Sequence, residues 1–134
     1  MSQVIESISW ACEKREAYKR ILLVDPDLPH QTVLSALLEL EGHLVIACAR
    51  ESEALILLAE RSIDLVITDH SISGVNGLSL LEKINRSGSR VPVLLISPQN
   101  DWQPYMEAMN RGALDYLTKP LDYQEIQRLL KLAA

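Results

Sequence analysis

The alternation of short apolar runs with segments of helical spacing constrains this chain more than any other feature. Ile21 to Val24, Leu44 to Cys48, Leu65 to Thr68, Val91 to Ser97 and Tyr116 to Thr118 read as strands. Between and after them, Thr32 to Glu41, Ser52 to Arg61, Gly77 to just before Gly88, Trp102 to Arg111 and Leu121 to Leu132 read as helices. Val33, Leu34, Leu37 and Leu38 would face inward in the first helix, and Ile126, Leu129 and Leu130 in the last. Gly42 and Gly112 stop two of the helices, since a helix end often needs a left-handed residue. Strands that alternate with helices of this length specify parallel βαβ units with right-handed crossovers. The expected fold is a doubly wound five-stranded parallel sheet flanked by five helices. An amphipathic N-terminal helical extension over residues 1–19, with Val4, Ile5, Ile8 and Ala11 on one face, precedes it.

Composition fits that fold and narrows the function. The 134 residues suffice for one domain with its own core. Phe is absent and aromatics make up 4%, so the core must be built from Leu, Ile, Val and Ala, which suits strands buried on both faces. A net charge of -5 argues against direct contact with nucleic acid or an anionic membrane, because both need clustered Lys and Arg. No stretch is long and apolar enough to span a bilayer. Cys12 and Cys48 lie far apart without metal-ligand spacing, and Cys48 sits in the apolar run LVIAC as a small core residue. That pattern suggests a reducing, cytoplasmic home.

In an open α/β sheet the working edge lies beyond the carboxyl ends of the strands. Those ends carry Asp25 and Asp27, Asp69, Ser97 and Lys119. Three carboxylates, a hydroxyl and an ammonium are thus brought to one edge. Carboxylates held together repel unless a cation intervenes, by about 4 kcal/mol at ~4 Å and a surface-like dielectric. Lys119 offsets part of this, and a hard divalent cation such as Mg²⁺ would offset more. A metal there would also neutralise phosphoryl oxygens and let a carboxylate attack phosphorus. Two machines end a first strand in a D-x-D pair: a phosphatase of the haloacid dehalogenase type, and a signalling domain whose acids hold a metal for a later aspartate.

The order D-x-D, DLVITD, VPVLLIS and GALDYLTKP decides between them. From about residue 20 to the end, the chain resembles the receiver domain of bacterial two-component response regulators, a flavodoxin-like fold. The resemblance assigns residues 20–134 to that domain. It implies that Asp69 accepts a phosphoryl group from a histidine kinase or phosphotransfer protein. It further implies that Asp25, Asp69 and the backbone carbonyl of Ser71 hold Mg²⁺. Ser97 would bond the phosphoryl group, Lys119 would pair with it, and Tyr116 would swing inward when Ser97 moves. The Lys119–Pro120 peptide is cis in such domains, at a bond where cis costs only about 0.5–1 kcal/mol. Such a domain is not an enzyme in the ordinary sense, although it catalyses its own phosphorylation and dephosphorylation. Its changed face binds a downstream protein or output domain, and the last strand–helix face would also serve a homodimer.

The phosphatase reading fails on order, because no late acidic motif follows Lys119 at a strand end and Leu28-Pro29 departs from D-x-D-x-T. A flavodoxin-like cofactor binder fares no better, since an acidic first loop would repel a phosphate.

The chain also departs from the family pattern. Pro26 stands where the second carboxylate is usual and offers no ligand; Asp27 could reach in instead. Either the metal is held less tightly, or the site has partly lost it and the chain is a phosphorylation-independent pseudo-receiver, an interaction or dimerisation module. Ser73 replaces a usual proline, Pro98 follows Ser97, and Ser71 and Gln99 occupy positions that tune phosphoryl lifetime. His70 is expected to face solvent, while His30 and His43 carry no signal. Trp102, Tyr105 and Met106 belong either to the core or to an output face. No further motif is left unassigned, so the chain is expected to be a stand-alone receiver or a piece of a longer protein.

Overall fold

The computed structural model describes residues 19–72, 75–97, 102–119 and 122–132. Strand β1 (Arg20–Val24) is followed by α1 (Leu28–Leu40), β2 (Leu44–Cys48), α2 (Glu51–Glu60) and β3 (Leu65–Asp69). A short hairpin, β4 (Ser71–Ile72) with β5 (Val75–Asn76), leads into α3 (Gly77–Arg86). Then come β6 (Val93–Ser97), α4 (Trp102–Asn110), β7 (Asp115–Thr118) and α5 (Tyr123–Leu132). The five-stranded sheet runs β2-β1-β3-β6-β7 with every pair parallel, as the sequence predicts. The hairpin is not legible in the sequence, because its strands are too short to show a period.

Successive side chains of a strand point to opposite faces, and the core divides accordingly. Ile21, Leu23, Leu65, Ile67, Leu94 and Ile96 pack on one face with Leu34 and Leu38 of α1 and Ile126 and Leu130 of α5. Leu22, Val24, Val66, Val93 and Leu95 pack on the other with Ala54 of α2, the apolar stripe of α3 and Ala108 of α4. The strands are therefore apolar on both faces, and the absence of Phe is made good by Leu, Ile and Val.

Helix α1 begins at Leu28, four residues before the predicted start. Asp27 is its N-cap, with the carboxylate accepting from the His30 N–H at 3.2 Å. Pro29 falls in the first turn, where a missing N–H costs nothing. Val33, expected inward, is 59% exposed. The buried stripe centres on Leu34 and Leu38, one turn apart, and Val33 falls to its flank. Gly42 and Gly112 close their helices at φ 94° and 90°, the left-handed region in which a side chain is strained. The expected N-terminal helix and the Leu129 side chain lie outside the described residues, as do Ser73, Pro98, Gln99 and the Lys119–Pro120 peptide. No helix among the described residues is long and apolar enough to cross a membrane.

Leu23 is fully buried in β1, an interior strand of the sheet, so Leu23→Ala should cost about 2–5 kcal/mol, read as a lowered urea midpoint. Burial, reinforced by the charge of Glu53, pushes the Cys48 thiol up to about 11. In a Cys12→Ser background, Cys48 should resist alkylation in the native state at pH 8 and react only on unfolding.

Candidate functional site

The sheet reverses its winding at β1: the chain moves outward to β2, then returns to β3 on the other side of β1. Ligands bind in open α/β sheets at such a switch point. Asp25 follows β1, with its N–H donating to the Cys48 carbonyl at 3.0 Å, and Asp69 is the last residue of β3. Both carboxylates are buried, at 1% and 4% exposure. Ser97 ends β6 and is also buried; the register places it beside Thr118, and its carbonyl accepts from the Lys119 N–H at 2.7 Å.

Lys119 joins the two acids. Its Nζ lies 2.9 Å from Asp25 Oδ1 and 2.5 Å from Asp69 Oδ2. Two buried carboxylates without a cation would be strongly unfavourable, and one ammonium between them removes most of that cost. The interaction also acts on the lysine. Burial opposes its charge, but its hydrogen bonds to Asp69 and Asp25 outweigh burial and hold the ammonium above the ordinary lysine value.

His30 joins the same cluster, although the sequence assigned it no signal. Its Nδ1 lies 2.6 Å from Asp25 Oδ2, and its side chain is 13% exposed. It stands three residues after the cap, where a side chain at a helix start reaches back over the capping residue. That position could have been read from the sequence had the helix start been placed at Asp27. Asp27, which the sequence left open as a further metal ligand, is exposed and turns its carboxylate to the helix, while its N–H donates to Asp25 Oδ1 at 2.9 Å. Gln31 donates to the Asp25 and Cys48 carbonyls at 3.1 and 3.0 Å and ties the ends of β1 and β2 together.

His70 does not face solvent as expected. Its ring meets Tyr116 edge-on at 5.7 Å, and its Nδ1 is buried without a hydrogen-bond partner among the described residues. Tyr116 points inward at 7% exposure, between His70 and Tyr105, whose ring lies 6.3 Å away. The Tyr116 hydroxyl is likewise buried and has no partner among the described residues. Tyr105 packs against the core and Met106 is 39% exposed, whereas the side chain of Trp102 lies outside the described residues.

Asp25 and Asp69 reach one nitrogen from two sides, so they are close enough to share a small cation. Two carboxylates suit magnesium, which takes few protein oxygens and keeps several waters. Pro26 is exposed and adds no side-chain oxygen, and Ser71 opens the hairpin two residues beyond Asp69. Among the described residues, no group of three or more His, Cys, Asp or Glu forms a closed metal cage.

A raised lysine contributes stability that is fully present below its unfolded value and lost as pH climbs through the folded one. The stability gap between the natural protein and Lys119→Met should therefore stay constant from neutral pH to about 10 and close above that. Urea unfolding across that range measures it.

The response regulator receiver domain model matches residues 21–131. The transcriptional regulatory protein ZraR of Escherichia coli O157:H7 is 37% identical over 113 residues, which is 84% of this chain and 26% of that protein. The chain thus spans about a quarter of the length of the curated relative it matches. Among solved structures, NtrX from Brucella abortus superposes with a TM-score of 0.81 at 27% identity, over 87% of this chain and 27% of that one. The receiver domain of the sensor histidine kinase PA1611 from Pseudomonas aeruginosa PAO1, with magnesium coordinated in its active-site cleft, gives 0.76 at 29% identity, over 87% of this chain and 98% of that one. This chain belongs to the response regulator receiver domain family.

Proposed function

We propose that the chain is a phosphoacceptor switch in two-component signalling, with Asp69 as the acceptor. The observation that carries this reading is the Lys119 ammonium held between the buried Asp25 and Asp69 carboxylates at the switch point of the sheet. An Asp69 oxygen attacks the phosphorus of a phosphohistidine on a histidine kinase or phosphotransfer protein. The O–P bond forms as the P–N bond breaks, and the electron pair returns to the donor imidazole. Lys119 then pairs with phosphoryl oxygens, and the Ser97 hydroxyl donates to another. Such preplaced charge is the main source of catalysis in phosphoryl transfer. Magnesium, held by Asp25, Asp69 and the Ser71 carbonyl, would neutralise the phosphoryl oxygens.

Tyr116 is the side chain best suited to report the change. Its buried hydroxyl has no partner among the described residues, so a new acceptor within reach would stabilise a different rotamer. It lies between α4 and the end of β7, and the face built by α4, β7 and α5 would bind the downstream protein, output domain or second copy.

Pro26 favours one other reading, a pseudo-receiver that binds partners without phosphorylation, because the position usual for a second acid has no side-chain oxygen to offer.

Intact mass after incubation with MgCl₂ and acetyl phosphate separates the two readings. A single phosphoryl increment is expected on the natural protein and none on Asp69→Asn. An unlabelled natural protein together with a labelled Pro26→Asp variant would favour the pseudo-receiver.

A further inference from the structure

Asp25 is the carboxylate that a magnesium ion has to share, and its surroundings are already occupied. Oδ1 takes two donors, the Lys119 ammonium and the Asp27 N–H, each at 2.9 Å. Oδ2 is therefore the oxygen left for a cation, and His30 Nδ1 stands 2.6 Å from it. The His30 ring is largely buried and its backbone is fixed by the Asp27 cap, so it does not reach Asp25 by chance from solvent.

We propose that His30 is a built-in competitor for the metal: it occupies the coordination side of Asp25, and magnesium enters only when the ring swings off Oδ2. This rests on the reading of Asp25 as a magnesium ligand. Magnesium binds oxygen at about 2.0–2.1 Å in a near-ideal octahedron and keeps several waters, so it needs open space around that oxygen. An imidazole at hydrogen-bond distance fills that space. A partner outside the metal's own ligands usually strengthens a site by aligning the ligand. Here the alignment of Asp25 is already set by the Lys119 ammonium and the Asp27 N–H on Oδ1. What His30 adds is bulk, and a hydrogen bond that the metal must break. With Pro26 supplying no second acid, Asp25 is satisfied from within the chain when metal is scarce, by the Lys119 ammonium on Oδ1 and the His30 ring on Oδ2. Metal occupancy is then reported to the first turn of α1.

Calorimetric titration with MgCl₂, without phosphodonor, tests this on the natural protein and on His30→Ala. The variant should bind magnesium about tenfold more tightly, the scale expected when a hydrogen bond to a charged group no longer has to be broken. Thermal unfolding supplies a readout that a merely structural histidine would not move. His30→Ala should melt below the natural protein in EDTA, and the gap should narrow or reverse in MgCl₂. In the natural protein, which avoids any folding defect of the variant, the His30 ring resonances should shift on saturation with MgCl₂. Unchanged or weaker binding by His30→Ala, absence of binding by both proteins, or an unmoved ring at saturation would each overturn the proposal. Phosphoryl transfer to Asp69 is read separately by mass, so a labelled natural protein with unchanged magnesium affinity in His30→Ala would sink this inference and leave the switch standing.

Discussion

A single ammonium between two buried carboxylates is the interaction on which the rest of this structure depends. Asp25 and Asp69 are almost fully enclosed at the edge of the sheet, and the Lys119 ammonium reaches both. The lysine comes from the far end of the sequence, 94 residues from Asp25. Its placement requires β1, β3, β6 and β7 to be in register at once. The site is thus a readout of correct folding as well as a chemical centre.

That register follows from the division of the core. Each strand supplies one set of apolar side chains to α1 and α5 and the alternate set to α2, α3 and α4. A slip by one residue would exchange the two sets and move every strand-end group off the edge. Burial on both faces therefore fixes the position of Asp69, Ser97 and Lys119 as firmly as their own hydrogen bonds do. The strand order then puts Asp25 and Asp69 side by side, because β1 and β3 are neighbours although β2 lies between them in sequence.

Much of this was legible without coordinates. Apolar runs long enough to show a period located the five main strands, and their carboxyl ends named the charged cluster. The misses have local causes. The helix was expected to start at Thr32, but Asp27 caps one that begins at Leu28 and holds Pro29 in its first turn. With the start misplaced, His30 had no visible relation to Asp25. His70 follows a strand end and looked like a solvated loop residue; its contact is with Tyr116, on a strand two places away in the sheet. Contacts of that kind leave no pattern in a single sequence.

The sequence by itself determined the alternation of strands and helices, the apolar character of both sheet faces and the chemical types gathered at one edge. Those properties depend on local periodicity and on which residue ends each strand. Only the tertiary structure decided which oxygen of Asp25 meets which donor, that Asp27 serves a helix and His30 the site, and that His70 and Tyr116 pack together. These are questions of a few ångströms and of side-chain direction. They are settled where elements distant in sequence are pressed together, and no spacing along the chain encodes them singly.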